Sequence, residues 1–248
     1  MQTTQLNVPK LSRVNRYIIG TIVGVFLLGS IMQSSGGASL ANLLGLSAGR
    51  FFSGYIYQIF TYPFVSRGLL EVVFNSLIIW FIGSELETMW GRKKYVSFIV
   101  SAVITAAVIY LFVGLFFLSS SAVYSYPLGG FAGVGSALCV GYAILFPDQI
   151  FTFMLIFPMK AKYFCMILIG MQLYQGFFSP SGAQAWGHLG AILGGYLYML
   201  VISHPATKKY FGGGGGHAER RRKTKLERSH LSIVKEMDEN KDEPPTLH

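Results

Sequence analysis

Apolar runs long enough to cross the ~30 Å hydrocarbon core of a bilayer recur along this chain, and they limit its fold more than any motif does. A segment inside lipid must satisfy its backbone polar groups internally, so only helices and closed barrels qualify. The runs are continuous and lack the apolar–polar alternation of a barrel strand. Hydrophobic residues make up 52% of the 248 and charged residues 12%. With a mean hydropathy of +0.48, the chain lies outside the range of ordinary soluble domains. The sequence therefore predicts an all-α polytopic membrane protein.

Six spans are expected, at about 17–32, 68–86, 95–117, 130–146, 162–177 and 184–203. A cleaved signal peptide competes for the first run, because residues 34–41 are rich in small side chains. The polar lead before Tyr17 argues against it. The connection 33–67 contains Phe51, Phe52, Tyr55, Tyr57, Phe60, Tyr62 and Phe64, which suggests an element lying at the membrane interface. The run 151–157 is too short to cross and is expected to rest at the interface as well. The domains are then a cytoplasmic lead at 1–16, a membrane domain at 17–204 and a cytoplasmic tail at 205–248, joined by the glycine linker 212–216.

Charge placement sets the expected topology. The formal net charge is +9, yet the basic residues gather at span ends and in the tail, as cytoplasmic anchors do, and do not point to nucleic acid. Arg92, Lys93, Lys94, Lys160 and Lys162 follow spans two and four, whereas the loops after spans three and five carry no charge. Both termini are thus expected on the cytoplasmic side. In the tail, Leu226, His230, Ile233 and Met237 fall on one helical face, consistent either with a helix drawn to anionic lipid or with a solvated tail. Cys139 and Cys165 both fall in apolar runs and read as buried free thiols.

Polar side chains inside a bilayer are costly, and each is a functional candidate. Glu71 and Asn75 lie one turn apart in "LLEVVFNSLIIW". His188 opens the sixth span and is the one histidine of five within a predicted span. Glu87 and Gly91 close the second span in "GSELETMWGRKKY". Gly129, Gly133 and Ala137 on span four, and Gly187, Ala191 and Gly195 on span six, form small-residue faces that allow close helix approach.

These motifs, in this order, resemble the rhomboid intramembrane serine proteases over about residues 50–203. "IYQIFTYPFVSRGLLEVVFN" is similar to the family's first loop and second helix, and Gly83, Glu87 and Gly91 to its G-x-x-x-E-x-x-x-G turn. "GFAG", Gly130 to Gly133, stands in place of G-x-S-G, and "HLGAILGG", running from His188 to Gly195, resembles the sixth helix. "FPMKAKYF" looks like a bacterial branch, with a bacterial inner membrane as the expected location. The resemblance implies a six-helix bundle with an interfacial first loop. It also implies a serine–histidine dyad that cleaves transmembrane substrates, with an asparagine and a histidine on helix two holding the oxyanion.

The chain departs from that pattern where the chemistry sits. The nucleophile position is Ala132, the oxyanion-histidine position is Glu71, and a further histidine position is Ser66, while His188 and Asn75 remain. In soluble serine proteases loss of the serine costs about 2 × 10⁶ in rate. An ionised carboxylate ~4 Å from a developing oxyanion repels it by roughly 4 kcal/mol at an effective dielectric of about 20. The resemblance therefore implies a pseudoprotease that binds transmembrane helices of client proteins and membrane lipid, without a cofactor. Three alternatives stay open: an active protease using Ser136 or carrying an engineered Ala132, a small transporter or channel, and a metal site on Glu71 and His188. The last lacks a third ligand.

Overall fold

The computed structural model describes residues 10–37, 39–116, 127–148, 150–153, 157–179 and 182–203. The tail, including Leu226, His230, Ile233 and Met237, and most of the lead lie outside the described residues. The chain divides into a unit of residues 1–200 and a second unit of residues 201–248.

Helix α1 is Arg13–Ser34. The first connection holds α2 (Leu40–Leu44), α3 (Ala48–Phe52), α4 (Gln58–Thr61) and a 3-10 turn, Tyr62–Phe64. The second apolar run forms α5 (Leu69–Ile78), a π turn (Ile79–Gly83) and α6 (Ser84–Trp90) in one line. Then come α7 (Arg92–Phe116), α8 (Ala132–Leu145), α9 (Ala161–Phe178) and α10 (Gly182–Ser203). Each expected span coincides with a helix. Arg13–Ser34, Leu69–Trp90 and Arg92–Phe116 are each long and apolar enough to cross a membrane. The architecture is an all-α membrane bundle, with one exception. Residues 150–153 and 157–160 pair as an antiparallel hairpin, β1 (Ile150–Phe153) with β2 (Phe157–Lys160), where an interfacial run was expected.

Helix α8 is the centre. Ten of its residues are buried, from Gly133 to Ala143. Gly141 touches the Phe98 ring of α7 and Met199 of α10, at 3.4 Å from where a Cβ would stand in each case. Helix α10 uses its small residues on two sides. Gly190 and Gly194 lie against Ala106 and Thr105 of α7, while Gly195 faces Ala137 of α8.

The first connection is tied inward by its own polar groups. Gln58 is fully buried, accepts the Ser47 N–H at 3.2 Å and donates to the Leu43 carbonyl at 3.2 Å. Tyr62, also buried, donates to the Val103 carbonyl at 3.0 Å. Burial of its phenol raises its pKa above the ordinary tyrosine value. Phe52, Tyr55, Tyr57 and Phe60 remain exposed, so the aromatics of this connection divide between core and periphery.

At the opposite end of the bundle, a buried amide holds α1 in place. Most of α1 is exposed; Asn15 and Ile22 are its buried residues. Asn15 donates to the Ile79 carbonyl at 3.1 Å and to Ser84 Oγ at 3.2 Å, and it accepts from the Tyr95 hydroxyl at 2.7 Å. The Ile79 carbonyl lies at the π turn, where the regular helical ladder is interrupted and a side chain can enter. Ser12 caps α1 by accepting the Asn15 N–H at 3.2 Å and donates its own hydrogen to Glu87. Glu87 and Gly83 of the G-x-x-x-E-x-x-x-G turn thus serve helix packing. A Cβ on Gly83 would overlap the Tyr95 hydroxyl and meet Asn15 Nδ2 at 3.1 Å. Gly91 ends α6 at φ +80° and donates to the Glu87 carbonyl at 2.8 Å.

Removing the amide leaves buried partners unpaired, at about 1–3 kcal/mol for each orphaned group. Asn15→Ala is expected to lower the melting temperature of the purified protein more than Ser30→Ala, whose exposed hydroxyl bonds only within α1. Gly83→Ala is expected to be destabilising as well, and Tyr95→Phe in the same chain to recover part of that loss. A double-mutant cycle in thermal melts measures the coupling.

Candidate functional site

The polar candidates converge at the N-terminal end of α8. Residues 127–130, which lead into it, are held from three directions. Leu128 and Leu46 exchange backbone hydrogen bonds at 2.7 and 2.9 Å. Gly130 donates to the Tyr62 carbonyl at 3.0 Å. The Arg67 guanidinium donates to the Pro127 carbonyl at 2.5 Å and to Gln184 Oε1 at 2.8 Å, and Gln184 Nε2 donates to the same carbonyl at 2.8 Å. This strap joins the start of the second apolar run to the start of α10.

Gly130 takes φ +89°, a left-handed conformation that a side chain makes costly. A Cβ there would also overlap Glu71 Oε1. The Glu71 carboxylate thus lies against the turn that precedes Ala132. Its other oxygen accepts the Arg67 N–H at 3.0 Å, closing the start of α5.

His188 and Asn75 flank α8. A Cβ on Gly133 would come within 3.0 Å of His188 Cδ2 and 3.1 Å of its Cα. One on Gly135 would stand 3.7 Å from Asn75 Oδ1. At ~100° per residue, Ala132 and Ser136 fall on the arc of α8 between those two contacts. The structure therefore brings Ala132, Asn75, His188, Glu71, Gly130 and Gly133 to one place. It sets Glu87, Gly91 and Gly195 apart from it, as packing residues.

The hydrogen bonds assign each group a state. Ser136 donates to the Ala132 carbonyl at 2.9 Å, so its hydroxyl is turned back onto its own helix. His188 Nδ1 lies 3.3 Å from Gln172 Oε1 on α9. Nε2 is buried without a hydrogen-bond partner, as are Asn75 Nδ2 and Ser66 Oγ. No hydrogen bond or ion pair joins Glu71 to His188 among the described residues; each has its own partner. Nor, among the described residues, do three or more His, Cys, Asp or Glu side chains gather as a metal site would require. Cys139, midway along α8, and Cys165, near the start of α9, are buried free thiols, with Cys165 Sγ 3.2 Å from the Cys139 carbonyl.

Gln172, Arg67 and Gln184 belong to the site and were not among the sequence candidates. Gln172 had a readable signal: an amide in an apolar run is as unusual as Glu71 or Asn75. The roles of Arg67 and Gln184 arise from contacts across more than a hundred residues, which no local pattern encodes.

Chemically, the cluster offers unpaired polar groups, among them a histidine ring nitrogen, around a methyl group. It can hold a polar group. Of the two residues on that arc, Ala132 carries a methyl group and Ser136 a hydroxyl turned back onto its own helix.

Helices, turn and polar cluster together define a rhomboid-like integral membrane protein. Residues 16–209 match the family described as "Eukaryotic integral membrane protein (DUF1751)", and the chain belongs to that family. It is also similar to Rhomboid-like protein 19 of Arabidopsis thaliana, with 29% identity over 161 residues, 62% of this chain and 51% of the relative. The chain thus spans about half the length of that relative. The rhomboid likeness is borne out, and the bacterial branch and bacterial inner membrane are not, because the family is eukaryotic. The "FPMKAKYF" run that suggested a bacterial lineage carries two charges with a local partner. Its Lys160 and Lys162 pair with Asp148 at 3.4 and 3.0 Å, closing the base of the β1–β2 hairpin.

Gly130→Ala is expected to destabilise the protein more than Gly54→Ala. Both glycines have positive φ, at +89° and +103°, and each substitution incurs about 1–3 kcal/mol of backbone strain. Gly54 has open space beside it, whereas Gly130 meets Glu71. The difference between the two melting temperatures isolates the Glu71 contact, and Glu71→Ala combined with Gly130→Ala is expected to remove it.

Proposed function

We propose that this protein is a rhomboid pseudoprotease, which receives transmembrane helices of client proteins and does not cut them. The observation that carries this reading is Ala132, placed on α8 between Asn75 and His188 with a methyl group where acyl transfer needs a hydroxyl. Glu71 adds to it. A carboxylate beside the Gly130 turn disfavours the oxyanion that peptide cleavage must form there. Ser136 does not substitute, because its hydroxyl is committed to the Ala132 carbonyl one turn away.

In this reading the bundle crosses the membrane six times with both termini cytoplasmic. The unpaired Asn75 Nδ2 and His188 Nε2 engage polar backbone or side-chain groups of a client helix that loosens at its end. Clients and surrounding lipid are its partners, and it needs no cofactor.

The test is reversion. Ala132→Ser together with Glu71→His is expected to react with a fluorophosphonate probe, and the unmodified chain not to react. Labelling of the unmodified chain would overturn the pseudoprotease reading. The client arm is read separately, by site-specific photocrosslinking from Gln172 to transmembrane proteins in membranes. Crosslinks lost on Asn75→Ala at unchanged melting temperature support client binding at this site; crosslinks unaffected by that change remove it.

A further inference from the structure

Five cations surround the Asn15 network. Arg13 and Arg16 lie one turn apart at the start of α1, on either side of Asn15, and Arg92, Lys93 and Lys94 open α7. The two sets are far apart in sequence, and three contacts bring them to one level. Ser12, beside Arg13, bonds to Glu87 near the end of α6. Asn15, beside Arg16, accepts from the hydroxyl of Tyr95, the residue that follows Lys94, at 2.7 Å. Gly91, at φ +80°, turns the chain from α6 into α7 with no further linker, so Arg92, Lys93 and Lys94 stay next to the α1 start.

Four of these side chains are exposed and Lys94 is half-buried. Among the described residues, no carboxylate forms an ion pair with any of the five. The acids at this end are engaged elsewhere. Glu87 is buried and takes the Ser12 hydroxyl, and Glu85 of α6 lies against Tyr142 of α8. Lys160 and Lys162, by contrast, share Asp148. Like charges held together repel, so the cluster favours an anion from outside the chain. Aromatic rings mark the depth at which that anion is met. Tyr17, next to Arg16, is 76% exposed, and Trp90 is half-buried next to the Gly91 turn. Amphipathic rings and cations at the ends of apolar helices belong to the headgroup level of a membrane. A zwitterionic headgroup brings its own cation there, whereas an anionic one leaves its charge for the protein to balance. The arginine fork also matches a phosphate bidentately.

We infer that the α1 start and the α6–α7 corner form one binding site for an anionic phospholipid headgroup. Arg13 and Arg16 approach the phosphodiester from one helix, and Arg92, Lys93 and Lys94 from the other. The lipid then bridges α1, most of which is exposed, to the bundle at the level where Asn15 already holds it. This site is separate from Ala132 and does not depend on the pseudoprotease reading.

Spin-labelled phosphatidylserine and phosphatidylcholine test this, each added to the full chain in phosphatidylcholine bilayers. The motionally restricted fraction in the electron paramagnetic resonance spectrum gives the relative association of the two lipids. The unmodified chain is expected to prefer phosphatidylserine several-fold. Arg13→Gln with Arg16→Gln, and separately Arg92→Gln with Lys93→Gln and Lys94→Gln, are each expected to remove most of that preference. Arg50→Gln, in the first connection, is expected to leave it unchanged. Melting temperatures in phosphatidylcholine alone show that each variant is folded. Should a combined variant melt early, Arg16→Gln and Lys93→Gln singly give the same reading at smaller size. A preference that survives both sets would overturn the inference, and one lost from a single set would overturn the shared site. Inorganic phosphate at constant ionic strength is expected not to displace the labelled lipid; displacement would make a free anion the occupant and overturn the lipid assignment.

Discussion

Everything at the site depends on how closely α8 approaches its neighbours. The Cα of His188 sits where Gly133 would otherwise carry a side chain, and Gly135, Gly141 and Gly195 make similar room for Asn75, Phe98 and Ala137. Without a hydrophobic force between helices in lipid, association rests on packing and on interhelical hydrogen bonds. The backbone of α8 is therefore the surface against which other helices are fitted. The helix is also short. Its 14 residues rise about 21 Å, less than the ~30 Å hydrocarbon core. If its far end meets the same boundary as the α6–α7 corner, Ala132 begins below the opposite surface. The polar groups around it are then at membrane depth, where a partner is worth most.

The two ends of the bundle solve the same problem with opposite outcomes. Around Asn15, the Ile79 carbonyl, Ser84 and Tyr95 all bond to one buried amide. Such a network fixes one arrangement of three helices. Around Ala132, the Arg67 strap and the Glu71 carboxylate order the rim, while Asn75 Nδ2, His188 Nε2 and Ser66 Oγ inside are left without partners. A buried polar group without a partner costs stability.

Much of this was legible in the sequence because membrane helices announce themselves by length and apolarity. Every expected span coincides with a helix, and Glu71, Asn75, Ala132 and His188 were found because polar or anomalous residues stand out in apolar runs. What was not legible falls into two kinds. Asn15 read as part of a polar lead, since its burial depends on a π turn more than sixty residues away. The hairpin read as an interfacial apolar run, since a short continuous apolar stretch has no period to distinguish strand from helix.

The retained histidine is where sequence and structure differ most in meaning. In the sequence, His188 beside a missing serine looks like a remnant of catalysis. In the structure it has a partner that does not need the serine: Gln172 fixes Nδ1, and Gly133 allows the ring to lie on α8. The hydrogen bond runs from α10 to α9, a helix whose buried residues, Ala161, Phe164 and Cys165, all lie near its start. Beyond that point α9 is steadied by Gln172 against His188 and by Gly176 and Phe177 against Trp186. A histidine with this duty persists whether or not there is a proton to abstract. Its presence is therefore not evidence of hydrolysis.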